Sequence, residues 1–274
     1  MAKIGLVISD IDGTILDKNH QLDSRLKENL AILAQQGIPF CLASARSPQG
    51  IRPIQEALGL DAPLVAYNGA LIGQWQEGEF RVLQDIPIVA ADVVALIALM
   101  EQSFPAVSIG LYAGKDWYVA QRNQWVELEA SITGEDPLVT DFEAFLAQKP
   151  VVHKFLLIGE EADITQLLAF LQEQDFPETS FYLSKANYLE ITHRSVSKGH
   201  ALALLAEMQG LPIRETLAFG DHFNDLSMLE AAGVGVAMGN APQAVREAAD
   251  AVTADNHHNG VSLYLERVLL SETR

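Results

Sequence analysis

The stretch IGLVISDIDGT, residues 4–14, decides the fold of this chain. A short run of Ile, Val and Leu that ends at small and acidic residues is typical of a buried parallel β-strand followed by a polar turn. Asp10 and Asp12 therefore lie at the carboxyl end of the predicted strand. Because ligands bind at this end of the strands in open parallel sheets, we expect both carboxylates to be functional.

Asp10 and Asp12 have two other possible interpretations, a calcium-binding loop and a turn without chemistry. A calcium-binding loop is disfavoured because Gly13 comes too early, the twelfth position is Gln21 instead of Glu, and a strand precedes the loop where a helix should. A turn without chemistry is also compatible with these residues, since Asp, Gly and Thr all favour turns. The residues further along the chain distinguish a turn without chemistry from a functional site.

The composition is that of a soluble chain long enough for two moderate domains. It has 274 residues, of which 49% are hydrophobic and 20% charged. The net charge of −18, from 18 Lys and Arg against 36 Asp and Glu, argues against a nucleic-acid-binding surface. A chain this acidic would need a metal ion and a few well-placed Lys or Arg residues to bind an anionic phosphate.

The sequence also favours a cytoplasmic location. The first strand begins almost at Met1, so no signal peptide is expected, and no apolar run reaches the length that spans a membrane. The single cysteine, Cys41, excludes an internal disulfide and fits a reducing compartment. Because Cys41 lies in the apolar run 38–43, we expect a buried structural thiol and not a nucleophile.

A strand–helix–strand unit follows the acidic turn. Apolar residues at helical spacing over 26–33, a stop at Gly37 and a second apolar run over 38–43 predict a βαβ unit. This unit brings Ser44, Ala45 and Arg46 to the sheet edge that carries Asp10. A hydroxyl and a guanidinium group there suit a phosphate ligand. Ser44 could equally cap the next predicted helix, 49–58.

The middle of the chain has a different predicted order of strands and helices. After a turn at Asn68, short paired strands alternate with helices from about residue 85 to residue 193. This pattern predicts an α+β unit separate from the βαβ core. We therefore expect residues 1–84 and 194–274 to form one domain, with 85–193 inserted between them.

After the insert the chain again alternates predicted strands and helices, and these carry a second group of polar residues. Lys198 opens a predicted helix, and the buried strand 216–219 ends at Asp221, Asn224 and Asp225. Together with Asp10, Asp12 and Arg46, they place four carboxylates and two cations at one sheet edge. Like charges so close together require a cation, and ligands that offer only oxygen favour Mg²⁺.

These residues resemble the motifs of a known family. The chain is similar to the haloacid-dehalogenase-like (HAD) phosphatases, and its insert is similar to that of the Cof-type sugar-phosphatase branch. The resemblance covers essentially the whole chain and implies an α/β fold, with a doubly wound, Rossmann-like parallel-sheet core and an inserted α+β cap domain. The matching segments are 10–14, Ser44, 68–70, 188–191, 197–199 and 220–225.

The resemblance also implies roles for individual residues. Asp10 would attack phosphorus and form an aspartyl-phosphate, and Asp12 would protonate the leaving group and then activate water. Lys198 would neutralise charge in the transition state. The resemblance further implies that Asp10, Asp12 through its backbone carbonyl, and Asp221 bind Mg²⁺, that Ser44 and Asn224 bind phosphate oxygens, and that Asp225 holds a metal-bound water or orients Lys198.

Other residues are expected to complete the substrate site. Ala45 and Arg46 belong to the second motif, and Asn68 belongs to the turn before the insert. Both connections of the insert emerge beside the acidic residues, so the insert should cover the site as a cap. We expect Asn187 and Tyr188, before the last cap strand, to point toward the cleft and contact the substrate; an ordinary hairpin turn is the alternative.

The chain departs from the family pattern at two motifs. The second motif is usually Thr-Gly-Arg, whereas this chain has Ser44-Ala45-Arg46. Ser keeps the hydroxyl group, but Ala restricts the backbone. The family often has Asn followed by Asp-Gly-Val late in the chain. Here Asn256 is present, yet Asn259 replaces that Asp, so one outer carboxylate is absent and we expect a change in metal affinity or tuning but not in the reaction.

The sequence thus predicts a Mg²⁺-dependent phosphatase that hydrolyses phosphomonoesters of small metabolites. It is expected to be a monomer or a small homo-oligomer with no nucleic-acid or membrane partner. A phosphomutase, which would share the aspartyl-phosphate, and a non-catalytic phosphate-ligand sensor are the alternatives. The sensor is disfavoured because a binding protein has no use for an acid next to the nucleophile.

Overall fold

The computed structural model describes residues 3–268. Its strands, in chain order, are β1 (Leu6–Ser9), β2 (Phe40–Leu42), β3 (Leu64–Ala66), β4 (Leu71–Gln76), β5 (Glu79–Asp85), β6 (Ser108–Ala113), β7 (Asp116–Val119), β8 (Leu138–Val139), β9 (Val152–Ile158), β10 (Thr179–Lys185), β11 (Tyr188–His193), β12 (Thr216–Gly220), β13 (Val234–Ala237) and β14 (Ala251–Val252). Its α-helices are α1 (Leu26–Gln35), α2 (Pro48–Leu58), α3 (Ala90–Ser103), α4 (Gln124–Thr133), α5 (Phe142–Ala147), α6 (Glu161–Gln172), α7 (Lys198–Met208), α8 (Leu226–Ala231), α9 (Gln243–Ala248) and α10 (Gly260–Val268).

The core is a parallel sheet in the order β14-β13-β12-β1-β2. A parallel bridge between Ala43 and Val65 places β3 next to β2. The chain runs from β1 to one side of the sheet first and later continues on the other side with β12. Between β1 and β12 the strand order therefore changes direction, and such a switch point opens a crevice at the carboxyl ends of the strands.

Helices cover both faces of this sheet, because β1 is apolar on both sides. Val7 packs on one face in a cluster with α1, α2 and α10. Leu6 and Ile8 pack on the other face with α7, α8 and α9. Successive side chains of a strand point to opposite faces, so a continuous apolar run is what a sheet covered on both sides requires. The expected doubly wound α/β core is confirmed.

The inserted segment forms a second sheet of six strands in the order β10-β11-β9-β6-β7-β8. It is antiparallel except for the short β7–β8 pair. Phe155 and Leu157 of β9 pack under the helices α3, α5 and α6, whereas Leu156 and Ile158 face the opposite way. An α+β cap inserted into the core is therefore confirmed. That its limits are residues 85 and 193 stays a prediction.

The second face of the cap sheet lies against the core. Tyr112 of β6 and Tyr188 of β11 belong to the same apolar cluster as Tyr67, which follows β3. The Tyr67 hydroxyl donates a 3.0 Å hydrogen bond to the carbonyl of Gly114, in the β6–β7 turn. A small antiparallel sheet, β3-β4-β5, connects the two domains, and its β4–β5 hairpin turns at Glu77 and Gly78.

The elements that the sequence did not predict are short. Strands β8 and β14 have two residues each and α5 has six, so none carries a recognisable periodic pattern. Within residues 3–268, no helix combines the length and the apolar character needed to cross a bilayer.

Candidate active site

Asp10 lies directly after β1, at the switch point of the core sheet. Its backbone N–H donates to the carbonyl of Phe219 in β12, so the residue is fixed between the two strands. The side chain is almost buried, with the residue 6% exposed. Burial raises the pKa of Asp10 to about 8; the Lys198 ammonium opposes this shift, and the carboxylates of Asp225 and Asp221 add to it. Burial therefore opposes the ionised form of Asp10, and Lys198 favours it.

Lys198 is the first residue of α7, whose N-terminus is capped by the Ser197 hydroxyl. Its ammonium group lies 2.5 Å from Asp10 Oδ1 and 2.6 Å from Asp225 Oδ1. Both Lys198 and Asp225 are 0% exposed. Burial acts to lower the pKa of Lys198, but the two carboxylates outweigh it and the pKa lies above its usual value. Lys198 is therefore a buried cation held beside Asp10.

Asp225 organises the turn that follows β12. Its Oδ2 accepts hydrogen bonds from the backbone N–H groups of Asp221, at 2.9 Å, and His222, at 3.0 Å. Its Oδ1 accepts from Lys198. One carboxylate thus holds both the turn and the lysine; whether Asp225 serves the reaction by orienting Lys198 or by holding a metal-bound water stays a prediction.

Asp221 lies close to Asp10, with a carboxylate oxygen of each within 4.8 Å of the other. Its Oδ1 accepts from the Thr14 hydroxyl at 3.1 Å and its Oδ2 from the Asn240 amide at 3.2 Å. Burial and the Asp225 carboxylate raise the pKa of Asp221 to about 6, against the lowering effect of Thr14. Asn240, which follows β13, also donates to the carbonyl of Gly13 and accepts from the N–H of Asn256. Sequence reasoning assigned no role to Asn240.

The donor set fits a hard divalent cation. Oxygen atoms of Asp10, Asp221 and Asp225 lie within 4.8 Å of one another. Three carboxylates face one ammonium group, so the cluster carries more negative than positive charge when its carboxylates are ionised. Oxygen-only ligands favour Mg²⁺ over transition metals. The arrangement therefore suits the ion that the sequence predicted.

The Asp12 carboxylate points away from this group toward Arg46. Arg46 donates from Nε to Asp12 Oδ2 at 2.8 Å and from Nη2 to Asp12 Oδ1 at 2.6 Å. The Asp12 side chain is 48% exposed and lines the cavity described below. The sequence predicted Arg46 as a substrate ligand; in this structure its guanidinium group is engaged by Asp12 instead.

Ser44 and Ala45 lie at the end of β2, beside Asp10. The buried Ser44 hydroxyl accepts from the N–H of Arg46 at 3.2 Å, which stiffens the turn. Ser44 does not cap the next helix; the cap of α2 is Ser47, whose hydroxyl accepts from the N–H of Gly50 at 2.9 Å. The carbonyl of Ala45 accepts a 3.0 Å hydrogen bond from Lys154 of the cap.

Asn68, in the first core segment, forms side-chain hydrogen bonds both to the second core segment and to the cap. Its backbone has φ 57°, a left-handed conformation that Asn tolerates better than most residues. Its side-chain oxygen accepts from the Asn224 amide at 3.1 Å, and its amide donates to the Tyr182 hydroxyl at 3.3 Å. Asn68 and Asn224 thus come together at the site, although they are far apart in sequence.

These residues line a cavity of about 920 Å³ between the core and the cap. Its core side includes Asp10, Asp12, Ser44, Ala45, Asn68, Lys198, Asp221 and Asn224. Its cap side consists mainly of residues from the middle of β10 and β11, namely Tyr182, Leu183, Ser184, Glu190 and Thr192. Of the residues predicted for the core part of the site, Arg46 and Asp225 are the ones that contact the lining without belonging to it.

Asn187 and Tyr188 do not occupy the predicted position in the cleft. Asn187 lies in the turn of the β10–β11 hairpin, beyond the paired residues, and Tyr188 is buried in an apolar cluster at 4% exposure. Tyr182 and Glu190 are paired across this hairpin and face the cavity from its middle. The prediction placed the substrate contacts at the tip of the hairpin. In the structure, residues of the two strands line the cavity instead.

Cys41 is buried within β2, away from the cavity lining. Burial raises the pKa of its thiol to about 12, so the thiolate that a nucleophile needs does not form near neutral pH. The expected structural thiol is confirmed.

Comparisons with known proteins agree with this arrangement. Residues 7–265 match the family model of haloacid dehalogenase-like hydrolases. A Haemophilus influenzae protein whose name proposes phosphatase activity is 37% identical over 261 residues, 95% of this chain and 96% of that protein. The HMP-PP phosphatase of Citrobacter koseri is 31% identical over 88% of this chain and 87% of its own length.

A solved structure shows the same fold. The haloacid dehalogenase-like hydrolase from Bacteroides thetaiotaomicron superimposes with a TM-score of 0.88 at 29% identity and covers 97% of this chain and 100% of its own. The sequence matches, the fold and the acidic cluster at the strand ends thus indicate the same family. The chain belongs to the haloacid dehalogenase-like hydrolase family, in its Cof-type branch of phosphatases.

Proposed function

We propose that this protein is a Mg²⁺-dependent hydrolase of phosphomonoesters of small metabolites and acts through an aspartyl-phosphate at Asp10. The observation that carries the proposal is the buried contact of Asp10 with Lys198, 2.5 Å apart, at the mouth of a strand crevice. A carboxylate repels a phosphate dianion, so a nucleophile of this kind needs fixed positive charge beside it. Lys198 supplies that charge from a position that Asp225 fixes.

In the first step an Asp10 oxygen attacks phosphorus and the bond to the leaving oxygen breaks. Asp12, two residues along and across a turn, gives its proton to the departing alkoxide. Lys198 offsets charge on the transferring group, while Ser44 and Asn224 bind its oxygens. Covalent capture divides one difficult hydrolysis into two easier steps.

In the second step the ionised Asp12 takes a proton from a water molecule, which attacks the phosphorus of the aspartyl-phosphate. The bond between phosphorus and the Asp10 oxygen breaks, and inorganic phosphate leaves. Arg46 fixes the orientation of the Asp12 carboxylate through two hydrogen bonds in the present arrangement. We infer that an arriving phosphate competes with Asp12 for Arg46 and so frees the Asp12 side chain to turn toward the leaving oxygen.

Asp10, Asp221 and the backbone carbonyl of Asp12 would hold Mg²⁺, with Asp225 close by. When bound, the ion supplies the positive charge that the three clustered carboxylates lack and polarises the phosphoryl group.

The cavity supports small phosphorylated metabolites as substrates. Its volume of about 920 Å³ is within the range of small-molecule sites. Sequence features support a cytoplasmic enzyme that is a monomer or a small homo-oligomer and binds neither nucleic acid nor membrane. The inserted cap, proposed as residues 85–193, closes over the substrate.

Release of inorganic phosphate from a panel of sugar phosphates, nucleotides, phosphorylated vitamins and nitrophenyl phosphate tests this function. We expect turnover with Mg²⁺, loss of turnover with a chelator, and recovery when Mg²⁺ is restored. A requirement for a bisphosphate activator with little phosphate release would indicate a mutase. Binding of phosphate esters without turnover by the folded, Mg²⁺-loaded protein would indicate a sensor.

A further inference from the structure

The connection between α4 and β8 of the cap carries a glutamate that contacts the core. Glu135 Oε2 accepts a 2.6 Å hydrogen bond from the Ser47 hydroxyl. The same hydroxyl accepts from the N–H of Gly50 at 2.9 Å and so caps α2. A carboxylate beside the first turn of a helix is also favoured by the helix dipole. Glu135 therefore holds a cap connection against the start of a core helix.

The core leaves room for this carboxylate at Gly50. Gly50 is buried in the first turn of α2, a helical position where alanine is more favourable than glycine. A Cβ on Gly50 would lie 2.6 Å from Glu135 Oε1 and 3.5 Å from the Cβ of Arg46. Within the described residues, Glu135 Oε1 is the atom nearest to this added Cβ. The Glu135 carboxylate and the Arg46 side chain thus pack around the same glycine.

Arg46 stands between two residues that the cap contacts. The carbonyl of Ala45 accepts a 3.0 Å hydrogen bond from Lys154 of β9, and the Ser47 hydroxyl donates to Glu135. The two contacts come from different elements of the cap and flank the residue that is proposed to meet the substrate phosphate. The placement of Arg46 therefore depends on the cap as well as on the core.

Glu135 acts on the site from outside the cavity. The residues that line the cavity, all within the described range 3–268, do not include Glu135. Burial raises the pKa of Glu135, whereas the Ser47 hydroxyl and the Lys154 ammonium act to lower it. The guanidinium group of Arg46 is itself paired with Asp12 of the core. Glu135 can therefore influence the reaction through the residues beside Arg46, without touching the substrate.

We propose that Glu135 is a positioning residue for Arg46. Its contact with Ser47 and its packing at Gly50 place the Arg46 guanidinium group where it meets the substrate phosphate. A residue of the cap thereby completes the phosphate-binding part of the core, independently of any contact with the leaving group. This inference rests on the proposed phosphatase function and adds a positioning residue to it.

Substitution of Glu135 tests the contact. Glu135→Ala should lower kcat/KM about 10-fold, the size of one charge-assisted hydrogen bond. The factor should be the same for nitrophenyl phosphate and an alkyl phosphate, because Arg46 acts on the phosphoryl group that they share. Glu135→Gln keeps an acceptor oxygen for Ser47 and should stay within about 3-fold of wild type. Asp136→Ala is the matched control, since Asp136 pairs with Arg122 of the cap, and should change nothing.

Gly50→Ala separates positioning from stability. The added Cβ has to displace the Glu135 carboxylate, whereas alanine itself favours the helix. We expect kcat/KM to fall several-fold while Tm stays the same or rises, which a merely structural role of Glu135 would not produce. In the Glu135→Ala background, Gly50→Ala should cost no further activity. Gly50→Ala also tests the inference if Glu135→Ala does not fold.

A double variant tests whether Glu135 acts through Arg46. Arg46→Met/Glu135→Ala should be no more than about 2-fold slower than Arg46→Met, because there is no guanidinium group left to position. A further 10-fold loss in that background would overturn the role. So would a loss with one ester alone, full activity of Gly50→Ala, or a loss in Glu135→Gln as large as in Glu135→Ala.

Binding of inorganic phosphate to the Mg²⁺-loaded protein, measured by calorimetry, separates this inference from the proposed function. Glu135→Ala should raise the Kd for phosphate about as much as it lowers kcat/KM, and an unchanged Kd would contradict the positioning of Arg46. If the folded wild-type protein bound phosphate but hydrolysed no ester, the phosphatase function would be wrong, while the change in Kd would still test the role of Glu135. Neither binding nor turnover would overturn both.

Discussion

Arg46 binds both carboxylate oxygens of Asp12, at 2.6 and 2.8 Å, through two neighbouring nitrogens of its guanidinium group. Such bidentate pairs fix the orientation of a carboxylate as well as its charge. The pair connects the second strand tip to the first, so the residue expected to bind phosphate and the expected proton carrier share one contact. Phosphate binding by Arg46 and the position of the Asp12 carboxylate are therefore coupled.

This coupling predicts that Arg46 is sensitive even to a conservative change. Lys keeps the charge but cannot bind both oxygens in one plane. We expect Arg46→Lys to lower kcat/KM by about 10-fold and Arg46→Met by about 100-fold or more, measured by phosphate release. Arg52→Met is the matched control, since Arg52 pairs with Glu56 on the outer side of α2. Equal rates for the Arg46 and Arg52 variants would contradict the coupling.

The role of Asp12 predicts a dependence on the leaving group. Asp12→Ala should slow hydrolysis of alkyl phosphates on the order of 10²–10⁴-fold, the usual contribution of a general acid. The loss should be smaller with nitrophenyl phosphate, because nitrophenolate leaves without protonation. Steady-state rates with the two kinds of ester check this. A loss of the same size with both would show that Asp12 is not the acid.

The acidic cluster predicts that Mg²⁺ stabilises the fold in a pH-dependent way. The native-state pKa values of Asp10 and Asp221 are raised, to about 8 and about 6, so the metal-free protein holds extra protons and loses stability as the pH rises through these values. Mg²⁺ must displace these protons to bind. Its effect on Tm should therefore be larger near pH 8 than near pH 5.5.

Thermal unfolding with and without Mg²⁺ at both pH values checks this prediction. Asp221→Asn should remove most of the increase in Tm, whereas Asp17→Asn, outside the three-carboxylate cluster, should keep it. A Tm increase of equal size at both pH values, or one that Asp221→Asn retains, would place the metal elsewhere.

Packing behind Lys198 predicts a stability effect at Gly199. A Cβ at this position would lie 2.3 Å from the backbone oxygen of Ser227, so α7 would have to move away from the segment that carries Asp225. We expect Gly199→Ala to lower the free energy of unfolding by about 1–3 kcal/mol, the usual cost of overpacking. Denaturant unfolding measures this, with the exposed His200→Ala as control. Equal stability of the two variants would show that α7 adapts without cost.

Much of the fold and of the core site was predictable because parallel strands end at one edge. Apolar runs identified β1, β2 and β12, and the polar residues after them had to meet. Asp10 and Asp225 each lie within 2.6 Å of the Lys198 ammonium, although nearly 200 residues separate Asp10 from Lys198 in sequence. The strand order of the sheet brings these residues together, and the geometry of βαβ units allows few strand orders.

The cap side was not predictable for a physical reason. Which residues of a hairpin face a neighbouring domain depends on the register and on the packing of the whole sheet, and here a register shift interrupts β10 between Leu183 and Lys185. Contacts such as that of Lys154 with the carbonyl of Ala45 join distant segments through the backbone, so residue types give no signal for them. Asn240 was missed because a single Asn in a loop carries no pattern.

The central claim is that Asp10 carries the phosphoryl group, and the most direct measurement traps it there. Asp12→Ala is mixed with nitrophenyl phosphate and Mg²⁺, quenched with acid within one turnover, digested and examined by mass spectrometry. Since nitrophenolate leaves unaided and the base for hydrolysis is missing, the covalent intermediate should accumulate. We predict one phosphoryl group on Asp10, and none in the folded double variant Asp10→Asn/Asp12→Ala. A phosphoryl group on another residue, or turnover by folded Asp10→Asn at near wild-type rate, would contradict the mechanism.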